Sequence, residues 1–138
     1  MDKFIGSLNL RAYKPDEWVL LSPLRWGPYL ITKGFITDLA SIPRLARPLL
    51  DPNGESRVPA VFHDFLYSTQ PVTRAEADQF FLDAMKACGI GFATRYAMYW
   101  GVRSGGWIAW NGHKNDSRAD NFVDDYYWAD EVAHSCGQ

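Results

Sequence analysis

The run His63-Asp64-Phe65-Leu66-Tyr67 holds the side chains best placed to do chemistry. On a helix, His63 and Tyr67 are four residues apart and rise one above the other on the same side. At about 100° per residue both fall on the flank of an apolar stripe, while Asp64 points elsewhere. The break before the next helix lies at Pro71, so the two helices should form an antiparallel hairpin. His63 stands eight residues before Pro71 and Asp78 seven after it, which places the two at the same height. A carboxylate across from an imidazole fixes its tautomer and stabilises its protonated form, as a general base requires. The same pair on a half-buried helix also serves as a satisfied structural contact. What decides is whether His63 and Asp78 bond within an open cleft or inside a closed core.

A second polar run, Gly34-Phe35-Ile36-Thr37-Asp38-Leu39-Ala40-Ser41-Ile42-Pro43-Arg44, precedes this helix. Thr37, Asp38 and Ser41 are all able to cap a helix starting near Pro43. In the functional alternative, Asp38 sits at a strand end, faces the His63 helix and supplies an oxygen to a cation. Arg44 and Arg57 are candidate salt-bridge partners for Asp38 or Asp64. Zinc chemistry has less support: His113 and His134 lie far downstream without ligand spacing, and no H-E-x-x-H or C-x-x-C occurs. No histidine precedes His63, which excludes an HD-type phosphohydrolase, and no G-x-S-x-G elbow is present.

The elements that must position these residues follow from pattern. The first third reads as three or four short strands making a small antiparallel sheet: Phe4 to Tyr13, Trp18 to Leu21, Leu24 to Thr32 interrupted at Gly27-Pro28, and Phe35 to Thr37. Helical period takes over from Ser41-Ile42-Pro43, stops at Asp51-Pro52-Asn53-Gly54, and resumes near Ser56 with Pro59 in a first turn. Val58, Val61, Phe62, Phe65 and Leu66 share one face of that helix. Thr73-Arg74-Ala75-Glu76 matches a capping box, followed by the stripe Ala77, Phe80, Phe81, Ala84, Met85 and Cys88, with Gly89 at the C-terminal end. An aromatic helix spans about Phe92 to Trp110, where Gly101, Gly105 and Gly106 allow close packing or an early end. The expected fold is α+β: a single domain over residues 1–112, with the sheet first, then the hairpin, then the third helix. Residues 113–138 carry six acidic residues against Lys114 and Arg118, with interleaved aromatics, and read as an extension packing on the domain or on a partner.

At 138 residues with 47% apolar and 22% charged content, the chain suits one folded domain and not a disordered one. A formal charge of −2 argues against a partner bound by neutralising many phosphates, so nucleic acid is not expected. Cys88 and Cys136 make no disulfide framework. Met1 to Leu10 has no apolar signal region, and Arg95 and Arg103 interrupt the richest apolar stretch, so neither a signal peptide nor a membrane span is expected. The aromatic share is high at 15%. Tyr96, Tyr99, Trp100, Trp107 and Trp110 suit core or subunit packing, or contact with a membrane surface.

The boxes at 34–44, 61–67 and 77–85 and the closing aromatic-glycine helix together resemble a small uncharacterised family of proteins carried by tailed phages and prophages. The resemblance covers roughly residues 4 to 107. It implies an α+β fold and a setting near tail or lysis functions, in the host cytoplasm or the virion. A shorter stretch, His63-Asp64-x-x-Tyr67 followed by Ala77-Asp78-x-x-Phe81, is similar to the paired active-site helices of phospholipase A2, the disulfide-free viral versions included. That likeness implies His63 as the base activating water, Asp78 orienting it, Tyr67 bracing the site and Asp64 ligating calcium. In place of a glycine-rich calcium loop the chain has only Asp51-Pro52-Asn53-Gly54, so Asp38 is expected to help fill the metal site. Two functions follow. One is a calcium-dependent ester hydrolase acting on the host envelope during entry or lysis. The other is a non-catalytic virion or tail-assembly protein whose partners are other tail proteins.

Overall fold

A computed structural model of the chain describes residues 4–38 and 57–129. The helix expected from Ser41 and the turn at Asp51-Pro52-Asn53-Gly54 lie outside the described residues, as does Arg44. The architecture is α+β, with β-structure first and helices after it.

The N-terminal strands form two small sheets. Strands β1 (Leu10–Lys14), β2 (Glu17–Leu20) and β5 (Ile36–Thr37) make an antiparallel sheet in the order β1-β2-β5. Lys14 pairs with Glu17 across the Pro15-Asp16 turn, where Asp16 takes a φ of +60°. Strands β3 (Leu24–Trp26) and β4 (Tyr29–Ile31) form a separate hairpin turned at Gly27-Pro28, the interruption visible in the sequence. Leu24, Trp26 and Ile31 point inward while Arg25 and Leu30 point out, the period of two that lets one face enter the core. Trp26 anchors that core, with Phe62 and Phe80 edge-on at 5.7 Å and 5.6 Å.

The helices are α1 (Arg57–Thr69), α2 (Arg74–Ala87), α3 (Phe92–Gly105), α4 (Trp107–Gly112) and α5 (Arg118–Asn121). α1 and α2 form the expected hairpin. The turn between them begins at Gln70, whose left-handed φ of +51° ends α1 before Pro71. Thr73 caps α2, accepting from the Glu76 amide while Glu76 reaches back to the Thr73 amide, and Gly89 follows the helix with a φ of +81°. The aromatic helix is two helices, α3 and α4, meeting at Gly106.

α1 is the central element. One of its faces packs on the Trp26 core, and Ala60 joins Phe81, Met85, Met98 and Val102 in a second cluster among α1, α2 and α3. Ten of its residues are buried, His63, Asp64, Tyr67 and Ser68 among them. A stripe was expected, but the helix is enclosed nearly all round, so each of its polar groups must find a partner inside the protein. Residues after α4 return to the sheet: Phe122 is buried against Phe35 and forms an antiparallel bridge with it.

Candidate functional site

His63 and Asp78 meet where the hairpin register puts them. The His63 Nε2 atom lies 2.7 Å from Asp78 Oδ1, and the Tyr67 hydroxyl donates to the same oxygen at 2.7 Å. An ionised carboxylate only accepts, so the ring carries its proton on Nε2. The other oxygen of Asp78 takes the Arg103 guanidinium at 2.7 Å and that of Arg74 at 3.5 Å. Both arginines also donate or lie close to the end of α3, where Arg74 reaches the carbonyl of Val102 at 3.1 Å. One carboxylate from α2 therefore ties together α1, α2 and α3.

The pair lies inside a closed core. His63 and Asp78 are both 0% exposed. The imidazole is stacked between Tyr67 and Phe81, with ring centroids 4.3 Å and 4.6 Å away, and Trp110 stands edge-on to Tyr67. Gly106 completes the enclosure: a Cβ there would meet the Tyr67 hydroxyl at 2.5 Å. Burial pushes the His63 pKa down, only partly offset by Asp78. For Asp78 burial pushes upward, but the hydrogen bonds from His63, Tyr67 and Arg103 outweigh it and hold the carboxyl below its usual range. Tyr67 is raised, first by burial and then by the Asp78 carboxylate it donates to. The result is an ionised carboxylate, a neutral imidazole and a neutral phenol, each with its hydrogen-bonding demand met.

Asp64 points to the opposite side of α1. Its Oδ2 accepts from the Thr37 hydroxyl and, at 3.3 Å, from the Asp38 amide, so it joins α1 to the end of β5. Asp38 and Asp64 do come together, lining a cleft of about 240 Å³ with Asp116, Asp120 and His113. Burial, and after it the charge of Asp38, raise the Asp64 carboxyl from 3.8 to about 6. A carboxyl raised on folding favours the folded state below its unfolded value, and that advantage is lost as pH climbs through the folded one. The window here is about pH 4 to 6. Substituting Asp64→Asn removes this dependence. The variant is expected to gain about 3 kcal/mol on the wild type between pH 4 and pH 7 in denaturant unfolding. A difference that does not change with pH would refute this. His63 titrates with the opposite sign, disfavouring the fold in acid, but does so equally in both proteins.

The sequence reading did not anticipate Arg74 and Arg103 on Asp78, or His113 beside Asp64. A basic residue four positions before Asp78 is a visible signal for Arg74; nothing local points to Arg103, which comes from another helix. His113 returns to the α1 surface because the chain turns back after α4, where its Nδ1 bonds Asp116 Oδ2. Of the aromatic residues, Trp110 and Tyr99 are half-buried, whereas Trp100 and Trp107 are 60% and 54% exposed. Core packing therefore does not account for those two.

A family model described as "Protein of unknown function (DUF1353)" matches residues 18–102. No curated protein and no solved structure matches the chain. The matched span runs from β2 to α3 and includes Asp38, His63, Asp64, Tyr67 and Asp78, while Gly106 and His113 fall outside it.

Proposed function

The chain belongs to the DUF1353 family, and from the burial of its His63–Asp78 pair we propose that it works by binding, as a non-catalytic virion or tail-assembly protein of a tailed phage. One observation carries the reading: both members of the pair are 0% exposed. A general base must reach the proton it removes, directly or through one water. The Asp78 charge is also fully engaged, by His63, Tyr67 and two arginines, in joining three helices. The phage setting is supported by the likeness of the 34–44, 61–67 and 77–85 boxes to those of phage and prophage proteins. Exposed Phe92, Trp100, Trp107 and Ile108 on α3 and α4 offer an apolar surface for neighbouring subunits. No helix of the described residues is long and apolar enough to cross a membrane.

A second reading has its own observation. The Nε2 bond to Asp78, braced by Tyr67 on the same oxygen, matches the pairing of a base with an orienting carboxylate that the likeness to phospholipase A2 implies. It would make the chain an ester hydrolase whose pair opens to solvent. Asp38 and Asp64, whose carboxylates would hold calcium in this reading, line one cleft.

His63→Ala separates the two readings. Under the binding reading the substitution removes a packed ring and takes from buried Asp78 one of the two donors to its Oδ1, leaving Tyr67. It should cost about 3 kcal/mol in denaturant unfolding, with no ester cleavage above background in either protein. The chain should then appear in purified virions at a symmetric copy number. Cleavage by the wild type that His63→Ala abolishes, with its unfolding midpoint unchanged, would establish the hydrolase instead.

A further inference from the structure

The aromatic rings of α3 form a continuous ladder. Phe92, Tyr96, Tyr99 and Trp100 share one face at helical spacing, and neighbouring rings meet along it with centroids 4.6, 6.3 and 5.2 Å apart. Phe92 and Trp100 are 67% and 60% exposed, and Trp107 and Ile108 are exposed at the start of α4. Residues 84–115, which carry this surface, hold Lys86, Arg95, Arg103 and Lys114 and no acidic residue. Residues 116–129 reverse the balance, with Asp116, Asp120, Asp124 and Asp125 against Arg118 alone. From this complementarity we infer that the α3 ladder docks the Asp124-Asp125-Tyr126 segment of a second copy of the chain, head to tail. Such an assembly rests on the binding reading above and gives it a partner.

Both surfaces are held in place before they meet. The Arg95 guanidinium donates to the Ile90 carbonyl at 3.1 Å and lies over the Phe92 and Tyr96 rings at 5.3 Å and 5.7 Å, so a cation is fixed beside the ladder. The charge of Arg103, by contrast, is already met by Asp78. The acidic segment is anchored by other elements. Val123 donates its amide to the Gly34 carbonyl, Tyr127 packs edge-on to Tyr13 at 5.8 Å, and Lys33 stands over Trp128 at 5.0 Å. Between these anchors Tyr126 is 76% exposed, and Asp124 and Asp125 are exposed beside it. Tryptophan, tyrosine and arginine contribute most at protein interfaces, and the ladder and the segment supply all three. Because the two surfaces lie on different elements, each copy presents one of each. The contact then repeats from copy to copy, into a closed ring or an open filament. An anionic membrane also attracts rings and cations, but the net charge of −2 opposes its approach, whereas the acidic segment is present on every copy.

Sedimentation velocity of the full chain over a range of concentrations tests this. The wild type should grow beyond monomer mass, and its association should weaken roughly tenfold or more from low to high salt. Trp100→Glu, which sets a like charge before the acidic segment, should be monomeric with an unchanged thermal midpoint, the position being exposed. Asp125→Lys/Tyr126→Ser, on the other surface, should be monomeric too. Mixing the two variants brings the intact segment of one to the intact ladder of the other, and should give a dimer of one copy of each that grows no further. Phe92→Glu, in the first turn of α3, replaces Trp100→Glu if that variant unfolds. A wild type that stays monomeric, a dimer that survives Asp125→Lys/Tyr126→Ser, or a mixture that stays monomeric would overturn the contact. Capture of a monomeric wild type by phosphatidylglycerol vesicles, lost in Trp100→Glu, would overturn it in favour of a lipid surface. The binding reading itself fails separately, through ester cleavage that His63→Ala abolishes.

Discussion

Replacing Asp78 with alanine should lower the thermal midpoint by roughly 10 °C or more, the loss expected from about 3–5 kcal/mol in a domain of this size. Four side chains, His63, Tyr67, Arg74 and Arg103, converge on its carboxylate. Its removal strands the Nε2–H of His63 and the hydroxyl of Tyr67 in a 0%-exposed interior. It also releases Arg103 and Arg74, which hold the end of α3 against α2. The arginines recover water, because their side chains are 28% and 22% exposed, so most of the cost falls on the two buried donors. Asp83→Ala on the exposed face of the same helix is the control, and should change stability by less than about 0.5 kcal/mol. Equal effects from the two substitutions would mean that the Asp78 network contributes nothing to holding the helices together.

Gly106→Ala should also be strongly destabilising, although glycine is usually the weaker choice in or beside a helix. Its Cβ would stand 2.5 Å from the Tyr67 hydroxyl and 2.5 Å from the Val102 carbonyl oxygen. Tyr67 cannot swing aside freely, since its hydroxyl is bound to Asp78 and its ring lies between His63 and Trp110. The strain therefore passes either into the buried network or into the junction of α3 and α4, at a cost of about 1–3 kcal/mol. Gly105 provides the comparison one residue away, where an added Cβ meets nothing within 4 Å. Gly105→Ala should be neutral or stabilising by up to about 1 kcal/mol. Thermal unfolding of the two variants side by side reads the difference, and indistinguishable midpoints would rule out close approach as the reason for Gly106.

Local patterns carried a good part of this architecture. The capping box at Thr73 and Glu76, the break at Gln70-Pro71 and the Gly89 terminus are all short-range chemistry, and all were readable. Their register alone placed His63 across from Asp78. What remained hidden depends on distant chain segments. The period of α1 marks one apolar face, yet Ala60, His63, Asp64 and Ser68 are buried too, because α2, α3, α4 and β5 surround the helix. Closure of the His63 environment requires Phe81, Trp110 and Gly106, which come from three different elements. The division into two small sheets has a similar cause, since β5 joins β2 across the intervening β3–β4 hairpin. His113 looked isolated in the sequence and stands beside Asp64 only because the segment after α4 folds back on α1.

The bridge between Phe35 and Phe122 has a bearing on how the protein is made. It lies beside β5, at the margin of the three-stranded sheet, and its second half is drawn from near the end of the chain. While the polypeptide is still emerging from the ribosome, the helical hairpin and its capped turn already have what they need, but that margin has no cover. Newly synthesised chains thus pass through an interval in which unpaired backbone invites another strand, and any delay in translation ahead of codon 122 prolongs their exposure to self-association.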